Sequence, residues 1–124
     1  MPVPILKQGS ILIATVQSSL NDADVRQLGD ELVARAGRLR IHSIVVDVSS
    51  LDVMDSFAVR MLRNIAHRVR LRGADILVVG IQPDVAFAMV QLGLTLEDVP
   101  TALDLDDGLA WLQRHAKEAP ARGR

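Results

Sequence analysis

The chain has 124 residues, 49% of them hydrophobic, with 14 basic against 15 acidic side chains and no cysteine. That length suits one domain with a single core, and the near-neutral charge offers no global attraction to nucleic acid or an anionic membrane. No stretch reaches the roughly 18 uninterrupted apolar residues of a membrane span, no secretory leader is visible, and the lack of cysteine rules out disulfides and thiolate chemistry and suits a cytosol.

Ile5–Leu6 and Ile11–Val16 read as two strands around a turn at Lys7-Gln8-Gly9-Ser10. Asn21 or Asp22 can then cap a helix whose Val25, Leu28, Leu32, Val33, Ala36 and Leu39 recur at helical spacing, with Gly37 near its end. Ile44-Val45-Val46-Asp47-Val48 is apolar and β-branched almost throughout, as in a strand covered on both faces. The next helix is expected from Ser56 to Arg72, capped by Asp55 and stopped by Gly73. Ile76–Val79 follows as a second buried strand. Pro83 suits the first turn of a short helix through Val90 or Leu92, closed by Gly93. After a connection around Pro100, Asp104 caps a last helix carrying Leu105, Leu109, Leu112 and Ala116, and residues 120–124 form a frayed tail. A hairpin followed by alternating strands and helices demands right-handed crossovers. The fold class is therefore α/β, one domain over residues 1–119, with a mixed and mostly parallel sheet opened by an N-terminal hairpin and packed with about four helices.

Chemistry concentrates between Ile44 and Phe57, IVVDVSSLDVMDSF. An apolar strand ends at Asp47, a polar loop holds Ser49, Ser50 and Asp52, and Asp55-Ser56 opens the helix. Ser56 thus stands at a helix mouth, where free N–H groups and the dipole favour negative charge. Two readings stand: a plain Asp-Ser cap, or a serine open to reversible phosphorylation. Loops at strand carboxyl ends are also where α/β sheets receive ligands and partners. Asp47 could orient a hydroxyl, contact a partner or bond loop amides.

Along the helix, Ser56, Arg60, Arg63, His67 and Arg70 share one stripe, opposite Ala58, Met61, Leu62, Ile65 and Val69. This is either a solvated face or a basic ridge headed by a switchable serine. Phosphate on Ser56 would bring about −2 charge within reach of Arg60, one turn away. Gln82-Pro83-Asp84 at the next strand end reads equally as a polar contact loop or a helix start. The partner-binding candidates are accordingly Asp47, Ser49, Ser50, Asp55, Arg60, Arg63 and Gln82. Sequence alone leaves open which of Val53, Met54, Leu94 and Leu96 is exposed.

Other chemistries find little support. Phe57, Phe87 and Trp111 are all the aromatics, too few for a base-stacking platform. His42, His67 and His115 show no metal-ligand spacing, so no metal or cofactor is expected. Ser56 lacks the glycines of a G-x-S-x-G elbow, and no strand is followed by G-x-G-x-x-G or a P-loop. A response-regulator receiver needs a lysine on its fifth strand, but Lys7 and Lys117 lie elsewhere. A base with an oxyanion or metal site cannot be assembled, so no enzyme is expected.

The segments PVPILKQGSILIATVQ, VVDVSSLDVMDSFAVRML, GADILVVGIQPDVAFAMVQLGL and TALDLDDGLAWL together closely resemble the STAS domain family, small modules named for sulfate transporters and anti-sigma factor antagonists. GIQP at Gly80–Pro83 is typical of the stressosome branch. The resemblance implies a non-enzymatic cytoplasmic scaffold with Ser56 as phosphoacceptor and Asp55 as its capping neighbour. It implies, as partners, a serine/threonine switch kinase released on phosphorylation, sensor-bearing STAS co-antagonists in one large assembly, and a PP2C-type phosphatase that resets the serine. No nucleic acid or membrane is implied. A second phosphorylatable threonine of several relatives falls here at Ala88, which cannot accept phosphate, and nothing promotes the nearby Thr95. The competing implication is a stand-alone anti-sigma factor antagonist binding one kinase, and size in solution separates the two.

Overall fold

The computed structural model describes residues 3–17 and 21–118, with side chains as far as His115. The tail at 120–124 and the side chain of Ala116 lie outside the described residues. Within them the chain runs β1 (Ile5–Gln8), β2 (Ile11–Thr15), α1 (Asp22–Arg38), β3 (Ser43–Asp47), α2 (Ser56–Arg70), β4 (Asp75–Val79), α3 (Pro83–Gln91), β5 (Thr101–Ala102) and α4 (Leu105–Glu118). The strands make one sheet in the order β1-β2-β3-β4-β5. β1 is antiparallel to β2, and every later pairing is parallel. This is the expected architecture.

Strand alternation divides the core into two layers. Leu12, Ala14, Ile44, Val46, Ile76 and Val78 face a cluster completed by Leu28 and Leu32 of α1, Val59, Ile65 and Val69 of α2, and Val85 and Met89 of α3. Ile13, Val45, Leu77 and Val79 face the other way, onto Leu112 of α4. Both faces of the central strands are thus covered, which is why their sequences show hardly any polar residue. Leu12, Ile44, Ile65 and Ile76 are at most 1% exposed, each stabilising by roughly 1.5–3 kcal/mol relative to an exposed position.

Right-handed crossovers set α1 and α2 side by side and parallel, so both begin at the carboxyl edge of the sheet. Gly29 of α1 lets them approach, since a Cβ there would stand 2.9 Å from Ile65 Cγ1. Arg68 of α2 donates to Asp30 of α1 at 3.0 Å.

Three expectations are refined. The hairpin turn is only Gly9-Ser10, because Gln8 already pairs with Ile11; Gly9 has φ 63, matching the positive φ that such tight turns require at their first central residue. α2 stops at Arg70, two residues early, because the Arg72 and Gly73 N–H groups turn back to Val69 and Arg70. The connection after Pro100 contains β5, a two-residue strand beside Val78 and Val79.

Candidate functional site

Asp55 is the N-cap of α2, with extended backbone and a carboxylate that accepts the Ala58 N–H at 2.8 Å. Its carbonyl accepts the Val59 N–H at 3.1 Å. Ser56 is the first helical residue and is exposed. The N–H groups of Ser56 and Phe57 precede the first helical ring, and the helix dipole adds partial positive charge there. These groups favour negative charge on the hydroxyl while the Asp52 and Asp55 carboxylates oppose it, and the side chain is open to solvent.

The stripe below Ser56 is a real surface. Arg60, Arg63, His67 and Arg70 are exposed, while Leu62, Ile65 and Val69 are buried and Ala58 and Met61 half-buried. Its members differ in freedom. Arg70 is tied to the Asp98 carbonyl at 2.7 Å, whereas Arg60 and Arg63 pair with no described residue.

Asp47, Ser49 and Gln82 form a second cluster that braces the loop leading to Ser56. Asp47 Oδ1 accepts the Ser49 N–H at 2.9 Å, so of its three possible roles the structure displays the loop-amide bond. Gln82 precedes Pro83 as N-cap of α3 but makes no capping bond with its side chain. Instead its Nε2 donates to the Ser49 carbonyl at 2.8 Å. Gln82 is thus a helix start whose side chain holds the neighbouring loop. Gly80 closes the brace: with φ 81 it lies so near that an added Cβ would be 2.9 Å from Ser49 Cβ and 3.1 Å from Asp47 Oδ1. Leu51 and Met54 plug the loop into the core, leaving Ser50, Asp52 and Val53 exposed. Of the apolar residues left open, Val53 is exposed, Met54 is buried, and Leu94 and Leu96 pack partly against the core.

Two features escape the sequence. Arg26 of α1 places its guanidinium carbon 5.4 Å from the centroid of the Phe57 ring, next to Ser56; only the parallel pairing of α1 and α2 brings these residues together. Phe87, Val90 and Leu92 in and after α3 are also exposed. Near the start of α1, the Asn21 N–H donates to Asp24 at 3.3 Å and holds that carboxyl below the usual aspartate range. Among the described residues no group of three metal-binding side chains forms, and no helix is long and apolar enough to cross a membrane.

This architecture, with a helix-capped serine at the carboxyl edge of a hairpin-led sheet, defines a small α/β domain. The STAS domain model matches residues 3–108, and the chain belongs to that family. Among solved structures, RsbS of Moorella thermoacetica, in a form with one serine replaced by glutamate, is 33% identical, with a TM-score of 0.80 over 93% of this chain and 97% of that one. A chain from the molecular architecture of the stressosome, a signal integration and transduction hub, is 34% identical, with a TM-score of 0.77 over 91% of this chain and 98% of that one. The RsbT co-antagonist RsbRA of Bacillus subtilis is 23% identical over 107 residues, which are 86% of this chain and 38% of that protein. The chain thus spans well under half the length of that curated relative.

Proposed function

We propose that this chain is a non-enzymatic cytoplasmic scaffold of a stressosome-type assembly, holding a serine/threonine switch kinase and releasing it when Ser56 is phosphorylated. The observation that carries the reading is the exposed Ser56 hydroxyl at the capped mouth of α2, in a chain that aligns over nearly its whole length with RsbS. The kinase would transfer the γ-phosphoryl of ATP: the Ser56 Oγ–P bond forms, the bond to ADP breaks, and the hydroxyl proton passes to a base on the kinase. No base on this chain is required. Sensor-bearing co-antagonists related to RsbRA would share the assembly, and a PP2C-type phosphatase would hydrolyse the ester. Asp47, Ser49 and Gln82 serve by holding the loop, and Arg60 and Arg63 by offering unpaired cations to the partner.

Charge supplies the mechanism. Before modification, the mouth of α2 and Arg60 present a positive surface to carboxylates on a partner. Afterwards about two negative charges stand there and repel them. Ser56→Ala is expected to fold normally and bind the kinase, but to retain it after ATP is added, measured by co-elution on size exclusion. Release of the kinase from Ser56→Ala at the unsubstituted rate would overturn the proposal.

A further inference from the structure

We infer that Arg26 reads a phosphate on Ser56 from within the chain, an inference that rests on the functional reading above and deepens it. The guanidinium lies 5.4 Å from the Phe57 ring centroid, and Phe57 follows Ser56 directly. Arg35 on the same helix pairs with Glu31, and Arg68 on the facing helix pairs with Asp30. Arg26 has neither an ion pair nor a hydrogen bond among the described residues. It is a cation held against the ring of the residue that follows Ser56.

Helix geometry puts the relevant groups in one sector. Taking Ser56 as origin, Arg60 lies about 40° and Phe57 about 100° around α2 in the same direction. Arg60, one turn along its own helix, and Arg26, arriving from α1 over Phe57, therefore lie on the same side of Ser56, toward which a phosphate there can turn. An exposed cation–π contact is a weak hold. A dianion with three acceptor oxygens matches the planar guanidinium fork far better. On phosphorylation Arg26 leaves the ring and pairs with the phosphate.

Two consequences follow for a bound partner. Its carboxylates lose Arg26 and Arg60, which now face inward to the phosphate. The Phe57 ring is also uncovered, so modification alters apolar surface as well as charge. Asp52 and Asp55, the acidic side chains nearest Ser56 in the chain, oppose the dianion and do so equally in every variant used below.

The test uses the full chain with phosphoserine installed at position 56 during translation, so that no kinase is involved. The second phosphate pKa, ordinarily about 6, is read by 31P NMR titration. Arg26→Gln is expected to raise it by about 0.2–0.5 pH unit. Arg38→Gln, at the far end of α1, removes the same charge and is expected to change it by less than about 0.1 unit, because screening isolates it. In parallel, the upfield ring-current shift of the Arg26 Hδ protons is expected in the unmodified chain and lost on phosphorylation. Equal pKa values in Arg26→Gln and the unsubstituted chain, equal shifts for the two variants, or a ring-current shift that survives phosphorylation would each overturn the inference. Failure of a kinase to modify Ser56 would sink the functional reading and leave this titration intact, so the two failures are distinguishable.

Discussion

The Ser56 hydroxyl depends on its neighbour. The Asp55 carboxylate accepts the Ala58 N–H at 2.8 Å and thereby fixes where α2 begins. Asp55→Ala is expected to cost about 1 kcal/mol and to lower the melting temperature by roughly 3–6 °C, read by thermal denaturation with circular dichroism; an unchanged melting point would show that the cap is dispensable. This cap was legible in the sequence because capping is local and an Asp-Ser pair before an amphipathic run is its signature. Arg26 was not legible. Its relation to Ser56 spans thirty positions and exists only because α1 and α2 lie parallel. Asp47 falls between these cases. Its place at a strand end could be read, while the choice among its roles needed the Ser49 amide in view.

Between elements, the loop after β3 and the loop after β4 act as one piece. Gln82 holds the Ser49 carbonyl, and Gly80 leaves room for Ser49 and Asp47 by lacking a side chain. Gly80→Ala meets two obstacles together, a positive φ of 81 and a contact at 2.9 Å. A loss of more than about 1 kcal/mol is expected, with faster amide exchange concentrated in residues 48–55; loss spread evenly over the chain would deny the brace. Helices and central strands could be read from the sequence because their burial imposes a period. β5 could not, since two residues carry no period at all. The early end of α2 has a similar origin, because Leu71 and Arg72 are good helix formers and the turn at Gly73 overrides them.

At the scale of the whole molecule, stability should decline in acid partly through α1. The Asn21 N–H lowers the Asp24 pKa in the folded state. A depressed carboxyl pKa contributes stability that is complete above the unfolded value and is lost as pH falls through the folded one. Denaturant midpoints taken from about pH 6 down to about pH 3 should therefore fall less steeply for Asp24→Asn than for the unsubstituted chain, and identical slopes would remove Asp24 from the account. The fold as a whole was legible because a hairpin followed by strand–helix alternation admits few topologies. The exposed apolar surface of α3 was not, since Phe87 and Val90 continue the apolar run of a helix whose Val85 and Met89 are buried. The central claim is that Ser56 is a phosphorylated latch on a protein-binding surface. Peptide mass spectrometry after incubation of the full chain with its cognate kinase and ATP tests it most directly: the account predicts one phosphate on Ser56, and modification confined to Ser49 or Ser50 would contradict it.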